Sequence, residues 1–473
     1  MVFSTYIFIF YFLPAVLLGY YALPSFVRRF GAPGRQVTAA RNGFLLAASC
    51  VFYGWWNPWF VLLLLFVAVS NYLCGLIMTR PGASPRQRVW GLTVAVALDL
   101  GTLGFFKYFM FLQTNLNQAL SWLGADRLRV LDIALPMGVS FYTFKALGYI
   151  FDVYREAAPP ARTLRDFACY VALYPQLEAG PIERYAKMAG PLADRTHTWQ
   201  KFASGVALFI LGFAKKVLLA NPVGEIATTT FSAQSLTTGD AWVGAAAYAF
   251  QIYFDFSGYS DMAVGLGRMI GFEFMKNFNS PYQAESITDF WRRWHLSLSS
   301  WFRDYVFLPL EMATRDHPNA RRRQAVNLML MMLLVGLWHG AGWTFVAWGA
   351  YHGAWMVLEQ RRRKDGFYQR LPRPARLVTT FVLVTISWVL FRSDTFPQAL
   401  EYLKTMFGVG GGGDSALLLA AQLYGQGQLV LMALCAVLLL CPWQAHDWSA
   451  NLTWPKALAL APAMGWTLLY TCA

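Results

Sequence analysis

The chain of 473 residues is 57% hydrophobic and only 14% charged, and its formal net charge is +14. In soluble domains about a quarter of all residues are charged, so this composition excludes an ordinary soluble enzyme. The basic residues cluster at the ends of apolar runs instead of forming a stripe among exposed aromatic residues, which argues against nucleic-acid binding. The sequence therefore predicts an all-α, polytopic membrane protein.

Apolar runs long enough to cross a membrane recur along the whole chain. They cover residues 2–23, 44–78, 90–112, 202–219, 241–256, 377–391, 416–440 and 457–470. Several contain the roughly 20 apolar residues that cross a hydrocarbon core. The run at 44–78 is interrupted by Trp-Trp-Asn-Pro-Trp at 55–59, which predicts a break between two short crossings. We expect about ten to thirteen transmembrane or re-entrant helices in total.

The basic residues also predict the orientation of these helices. No Lys or Arg precedes the first apolar run, whereas four arginines follow it between residues 28 and 41. Because cytoplasmic loops carry the excess of Lys and Arg, we expect the N-terminus on the extracytoplasmic side. The missing positive n-region argues against a cleaved signal peptide. The largest cytoplasmic region is expected at 276–323.

The cysteines and the glycine-rich stretch predict no metal or phosphate site. Six cysteines are scattered among apolar residues, and no two of them form a CxxC pair. This spacing predicts neither a metal site nor a disulfide framework. The stretch at 408–414 lacks the Lys-Ser/Thr and the helix start of a phosphate-binding loop, so we expect a loose extracytoplasmic loop there.

The stretch around His339 predicts a helical hairpin. Basic clusters stand at 321–323 and 361–364, with 37 residues between them. At about 1.5 Å per residue these make two legs of roughly 27 Å, with the turn near Gly340. His339 would then lie deep in the membrane, where an ionisable side chain is a candidate for function, although a structural hydrogen bond at a helix break is equally open. For His352, on the second leg, we expect packing or gating.

Residues 289–310 predict one amphipathic helix in the membrane interface. Apolar side chains recur at spacings of three and four, which places them on one helix face. These are Trp291, Trp294, Leu298, Trp301, Phe302 and Tyr305. The opposite face carries Arg292, Arg293, Ser299, Ser300, Arg303 and Asp304. Such a face suits lipid headgroups or the phosphates of a cytoplasmic ligand. His295 borders the apolar stripe. The sequence leaves two roles open for this residue, an interfacial anchor and an inward-facing functional group.

Two carboxylates interrupt the apolar, aromatic run at 251–272. Asp255 and Asp261 are expected to face the protein interior, because an unpaired charge in lipid is costly. Gly258 between them can break the helix. The sequence leaves two interpretations open, a polar wall of a substrate path and a pair of buried hydrogen bonds between helices.

Four segments, taken together, resemble one known family. They are YPQLEAGPIERY at 174–185, QIYFDFSGYSDMAVGLGRMIGF at 251–272, NFNSPYQAESITDFWRRWHLSLSSWFRDYVFLPL at 277–310 and GLWHGAGWTFVAWGAYHG at 336–353. In this order they resemble the membrane-bound O-acyltransferases, and among these the bacterial alginate and polysaccharide O-acetylation branch. The resemblance implies a single transmembrane domain over 1–473, built as a funnel of helices around a central tunnel. Its catalytic core would span about 130–360, with peripheral helices at 1–130 and 376–473.

The resemblance also implies the residues of the site. His339 and His295 match the family's essential and second signature histidines and are assigned as catalytic. Arg292, Arg293 and Arg303 are assigned to donor binding. The residues assigned to the tunnel wall are Asp255, Ser257, Tyr259, Asp261, Trp338 and Trp294. Because an acetyl thioester is activated and an acceptor hydroxyl is not, a neutral His339 imidazole would act as general base. The absence of a GxSxG motif favours direct transfer over an acyl-enzyme.

The implied reaction moves an acetyl group from cytoplasmic acetyl-coenzyme A across the bacterial inner membrane to an extracytoplasmic polysaccharide, through a secreted or periplasmic SGNH-type partner. Membrane lipid surrounds the protein, and neither a metal, a permanently bound cofactor nor nucleic acid is expected. Two alternatives stay open. One is a glycan or lipid transporter or flippase, although no inverted repeat is visible. The other is an acyltransferase that uses another group, such as D-alanyl, or a peptidoglycan acceptor.

Overall fold

The computed structural model describes residues 1–29, 34–361, 370–409, 417–441 and 443–472. Throughout these ranges the regular structure is helical, without a strand, which confirms the all-α prediction. The helices are α1 (Leu13–Arg28), α2 (Gly34–Gly54), α3 (Trp59–Thr79), α4 (Pro85–Leu103), α5 (Phe109–Trp122), α6 (Val139–Tyr154), α7 (Leu164–Ala172), α8 (Tyr174–Leu177), α9 (Tyr185–Ala193), α10 (Trp199–Ala214), α11 (Asn221–Ser232), α12 (Thr238–Met269), α13 (Ile287–Trp291), α14 (Leu296–Phe302), α15 (Leu308–Thr314), α16 (Ala320–His339), α17 (Trp343–Arg361), α18 (Arg373–Arg392), α19 (Phe396–Met406), α20 (Leu417–Tyr424), α21 (Gln426–Leu440), α22 (Ala445–Ala450) and α23 (Trp454–Cys472). Stretches of π-helix occupy Phe8–Phe12, Gly104–Tyr108, Lys215–Ala220 and Arg303–Phe307, and one 3-10 turn occupies Pro281–Gln283.

Several helices are long and apolar enough to cross a membrane. Among the described residues these are the five segments Phe8–Arg28, Trp59–Thr79, Pro85–Trp122, Trp199–Ser232 and Arg373–Arg392. They support a multi-pass membrane protein, while the expected ten to thirteen transmembrane or re-entrant helices stay a prediction. The predicted break at 55–59 is confirmed, because α2 ends at Gly54 and α3 begins at Trp59 directly after Pro58.

The described residues form two compact units. The first comprises Met1–Phe209 and Met262–Met275, and the second comprises Ile210–Asp261 and Lys276–Ala473. In the first unit α2 packs against α1 and α7, and α3 packs against α4, α6 and α7. Three aromatic rings fill the core between these helices, with centroids 5.8 to 6.5 Å apart, and all three are fully buried. They belong to Phe8, Phe52 and Tyr174. The boundaries of the predicted catalytic core stay a prediction.

The second unit is organised around the hairpin of α16 and α17, which confirms the predicted turn near Gly340. Two glycines let the helix backbones touch. A Cβ on Gly336 would lie 2.3 Å from the Phe345 carbonyl oxygen, and a Cβ on Gly349 would lie 2.4 Å from the Met332 carbonyl oxygen. Small residues at such contacts allow close helix packing in membranes. The basic residues Arg362, Arg363 and Lys364, and residues 410–414 of the glycine-rich stretch, lie outside the described residues.

The prediction of one amphipathic helix over 289–310 is wrong. Helix α13 ends at Trp291, and α14 begins only at Leu296. Between them His295 adopts a left-handed backbone conformation, with φ 44° and ψ 56°. The break is fixed by hydrogen bonds to Asn277: its main-chain carbonyl accepts from the Leu296 N–H, and its Oδ1 accepts from the Ser297 N–H. The spacing of apolar residues carries no information about these long-range bonds.

Gly258, which the sequence named as able to break a helix, does not do so. Helix α12 runs without interruption through this position. A Cβ there would lie only 2.7 Å from the Gly212 carbonyl oxygen on α10, so that glycine serves close packing of the two helices and not a change of direction.

Candidate functional site

A cavity of about 890 Å³ lies in the second unit, beside the break between α13 and α14. The basic side chains that line it are Arg292, Arg293, Arg303 and Arg376. Apolar side chains of α16, among them Met332 and Val335, form another part of its wall. The three arginines predicted to bind the donor are thus brought together at one cavity, and their role stays a prediction. A volume of this size is typical of small-molecule and cofactor sites.

The arginines of the cavity differ in their ion pairing. The Arg293 Nε donates to Asp289 Oδ2 at 3.0 Å, and the Arg303 Nε donates to Asp304 Oδ1 at 2.8 Å. Arg292 is exposed, and within the described part of the chain no carboxylate pairs with it. Its guanidinium charge is therefore available to an anionic ligand.

A carboxylate on α17 holds the start of α13 in place. The Oε1 of Glu359 accepts from the Ile287 N–H at 2.8 Å, and its Oε2 accepts from the N–H and the hydroxyl of Thr288 at 2.8 and 2.6 Å. These bonds satisfy N–H groups that the first helical turn leaves without an intrahelical partner. Glu359 also lines the cavity, so it ties the arginine-bearing segment to the hairpin. The sequence did not mark Glu359 as a site residue, because charged side chains are common at the end of a helix and Glu359 stands just before the basic residues that begin at Arg361.

His339 is the last residue of α16, and its imidazole is half-buried in a cage of three aromatic rings. The ring centroids of Trp338, Trp348 and Phe391 lie 5.0, 5.2 and 5.2 Å from that of the imidazole. All three contacts are edge-to-face, a favourable arrangement for aromatic rings. The cage fixes the ring while leaving part of it accessible.

His295 is fully buried, in contrast to His339. Its ring centroid lies 4.6 Å from Phe256 and 5.9 Å from Trp338, and its Nδ1 donates to the Asn277 Oδ1 at 3.4 Å. Neither histidine lines the cavity, although the neighbouring Leu296 does. A continuous passage past both rings therefore stays a prediction.

The remaining residues that were assigned to the tunnel wall do not line the cavity either. Asp261 Oδ2 pairs with Lys215 Nζ at 2.7 Å, and Asp255 Oδ1 pairs with Lys216 Nζ at 2.5 Å. The Asp255 side chain is 45% exposed and therefore only partly buried, and its place in a polar path through the protein stays a prediction. Tyr259 is half-buried, whereas Ser257, Trp338 and Trp294 are buried. The two lysines were missed, although two adjacent lysines inside the apolar run at 202–219 could have marked them as partners for the two aspartates.

Comparison with known proteins gives the family of the chain. The sequence profile of the MBOAT, membrane-bound O-acyltransferase family matches residues 163–364. The chain is 46% identical over 410 residues to the probable alginate O-acetylase AlgI of Azotobacter vinelandii. This alignment covers 87% of this chain and 79% of that protein. It is 45% identical over 410 residues to the probable alginate O-acetylase AlgI of Pseudomonas aeruginosa, covering 87% and 75%. The chain belongs to the membrane-bound O-acyltransferase family.

A more distant relative of this O-acyltransferase is the peptidoglycan O-acetyltransferase of Helicobacter pylori, which is 33% identical over 444 residues. This alignment covers 87% of this chain and 80% of that protein. Family membership confirms the resemblance drawn from the four segments and makes this chain a multi-pass membrane O-acyltransferase. The matched range 163–364 includes both signature histidines and the three arginines of the donor assignment. The individual roles of these residues stay predictions.

Proposed function

We propose that this enzyme transfers an acetyl group from cytoplasmic acetyl-coenzyme A to hydroxyl groups of an extracytoplasmic polysaccharide of the alginate type. The relatives named alginate O-acetylase support both the acetyl group and the class of acceptor. The observation that carries the proposal is the position of His339. Its caged ring lies four residues along α16 from Val335, which lines the arginine-walled cavity. Four residues are about one helical turn, or roughly 6 Å, so that a base and a donor cavity are neighbours.

The chemistry requires a base and an activated acyl group. An imidazole nitrogen of His339 takes the proton of the acceptor hydroxyl while the hydroxyl oxygen attacks the thioester carbonyl carbon. The carbon–sulfur bond then breaks, and the coenzyme A thiolate leaves and is protonated. The products are an acetyl ester and free coenzyme A thiol. General base catalysis of this kind contributes about 10² to 10⁴ in rate.

The donor is assigned from the charges of the cavity. Coenzyme A carries phosphate groups, and arginine binds phosphate through paired N–H donors. Two arginines of the cavity wall, Arg292 and Arg303, can bind these phosphates. Arg292 is exposed and has no carboxylate partner in the described ranges. The acyl end would then extend toward α16.

The location and the partner follow from the same scheme. The enzyme lies in the bacterial inner membrane with its N-terminus outside the cytoplasm, as the arginines after the first apolar run favour. A secreted or periplasmic SGNH-type protein receives the acetyl group and passes it to the polymer. This arrangement brings a cytoplasmic donor and an extracytoplasmic acceptor together without moving coenzyme A through lipid.

A second candidate acceptor is peptidoglycan, which the Helicobacter pylori relative favours. One experiment separates the two. A deletion strain is complemented with the wild-type chain, the secreted polymer and the peptidoglycan are isolated separately, and alkali-released acetate is measured in each. Acetate that depends on the gene in the polymer alone supports the proposal, and acetate that depends on it in peptidoglycan alone supports the second candidate. Acetate that is unchanged in both fractions contradicts the proposal.

A further inference from the structure

His352 on α17 is fully buried, and both of its ring nitrogens have hydrogen-bond partners. The Trp291 Nε1 donates to its Nδ1 at 3.3 Å, and its Nε2 lies 3.0 Å from the Ser387 Oγ. The Ser387 hydroxyl donates its single hydrogen to the Val384 carbonyl oxygen at 2.7 Å.

These partners determine where the proton of the ring lies. An indole N–H can only donate, so the Nδ1 of His352 must be an acceptor. The Ser387 hydroxyl has already given its hydrogen to a carbonyl, so its oxygen accepts from the Nε2 of His352. Both bonds therefore require the same neutral tautomer, with the hydrogen on Nε2.

The bond to Trp291 connects this buried ring to the cavity. Trp291 is the last residue of α13, directly precedes Arg292, and lines the cavity wall. The rings of His352 and Trp291 also meet edge-to-face, with centroids 5.3 Å apart. Helix α17, which carries His352, packs without a gap against α16 through Gly349 and Gly353. The hydrogen bond thus fixes Trp291 to a rigid part of the fold.

We propose that His352 is a positioning residue, which holds the Trp291 indole at the wall of the cavity in the orientation that acetyl-coenzyme A requires. This inference rests on the proposed function, since it takes the cavity as the donor site. The Trp348 ring contacts both His352 and His339, with centroid distances of 4.9 and 5.2 Å. Because these are ring contacts, the position of Trp348 depends on the shape of the His352 ring and not on its hydrogen bonds. Loss of the hydrogen bonds alone is therefore expected to affect donor binding and to spare the turnover rate.

Two variants of His352 separate its hydrogen bonds from its ring. His352→Phe keeps a flat ring against Trp348 and removes both hydrogen bonds. His352→Gln keeps an acceptor and a donor and removes the ring. Release of coenzyme A is measured with the purified full chain at varied acetyl-coenzyme A and a fixed concentration of deacetylated alginate, which supplies the acceptor hydroxyl. Loss of one net hydrogen bond corresponds to about a fivefold change. We expect His352→Phe to raise KM for acetyl-coenzyme A about fivefold with kcat nearly unchanged, and His352→Gln to recover most of this KM.

The same bond is tested from the cavity side by Trp291→Phe, which removes the indole donor. Its KM should rise as much as that of His352→Phe, and the double variant should be no worse than either single one. A merely structural role predicts the opposite: KM unchanged while kcat and membrane abundance fall together, or effects that multiply in the double variant. Either result overturns the inference, as does a Trp291→Phe enzyme with unchanged KM. If the wild-type chain releases no coenzyme A at all, the proposed function fails, which is a different outcome.

Discussion

The indole of Trp338 lies 5.9 Å from the imidazole of His295 and 5.0 Å from that of His339, measured between ring centroids. One buried tryptophan therefore contacts both signature histidines, although these two residues are 44 positions apart in the chain. The histidines differ in access, because His295 is fully buried and His339 is only half-buried. We therefore expect variants of His339 to lose activity while the fold stays intact, and variants of His295 to lose stability as well.

Replacement of His339 is expected to remove activity and leave the fold intact. His339→Ala should lower acetyl transfer by about 10² to 10⁴, the usual contribution of a general base. Because the ring is half-buried at a helix end, the thermal unfolding temperature and membrane abundance should change little. Polymer acetate and membrane abundance are measured in the same cells. Retained acetate would contradict the general-base role, and lost protein would favour a structural one.

Replacement of His295 is expected to damage the fold as well as the site. Its backbone is left-handed, a conformation that costs roughly 1–2 kcal/mol for most residues and less for Asn. His295→Asn should therefore be more stable than His295→Ala by about 1 kcal/mol in thermal unfolding. If the ring itself serves catalysis, both variants lose activity equally. Activity that follows stability across the pair would show that His295 acts only through the fold.

The orientation of the hairpin can be tested at its two basic ends. Single cysteines at Arg323 and Arg361 should react with a membrane-impermeant maleimide only when the cytoplasmic face is accessible. A background chain without its native cysteines serves as control, since six are present. Labelling from opposite sides would mean that α16 and α17 cross the membrane only once, and His339 would not lie at the deep turn of a hairpin.

Local features of the sequence predicted much of this architecture. The turn of the hairpin follows from Gly340 between two apolar legs, and the break between α2 and α3 follows from Pro58. Both depend on residues that act on their own backbone. The break before α14 could not be predicted, because Asn277 makes it through long-range bonds. Gly258 shows the same limit: its role depends on a neighbouring helix, whose approach the spacing of residues does not reveal.

The two ion pairs between the π-helical stretch at Lys215–Ala220 and α12 are expected to contribute unequally. The Lys215–Asp261 pair is less exposed, at 20% and 16%, than the Lys216–Asp255 pair, at 28% and 45%. Removing one partner of a fully buried pair costs about 3–5 kcal/mol, and an exposed pair contributes about 0–1 kcal/mol, so the cost for the partly buried Lys215–Asp261 pair lies between these limits. Asp261→Asn should therefore lower the unfolding temperature clearly, and Asp255→Asn, the matched control, should lower it little. Equal effects would contradict this ranking.

A final prediction concerns the histidine in the short connection between α9 and α10. The His197 Nε2 lies 2.8 Å from the Tyr20 hydroxyl, and the Arg41 Nη1 lies 3.4 Å from its Nδ1. Burial, and after it the charges of Arg41, Arg195 and Lys201, lower the pKa of His197 from 6.5 to about 4. Protonation would place a further positive charge among these basic residues and remove the acceptor that faces Arg41.

The sign of the pH dependence follows from linkage. Between about pH 6.5 and pH 4 the unfolded chain binds a proton at His197 that the folded chain does not, so this residue's contribution to stability falls as the pH falls. Above pH 6.5 the contribution is complete and constant. We expect the unfolding temperature of the wild-type chain in detergent to drop between pH 7 and pH 4.5 by more than that of His197→Gln, which cannot titrate. Because His197 is about half-buried, solvent screening reduces the difference. Parallel curves for the two proteins over this range would show that His197 does not hold its neutral form in the folded state.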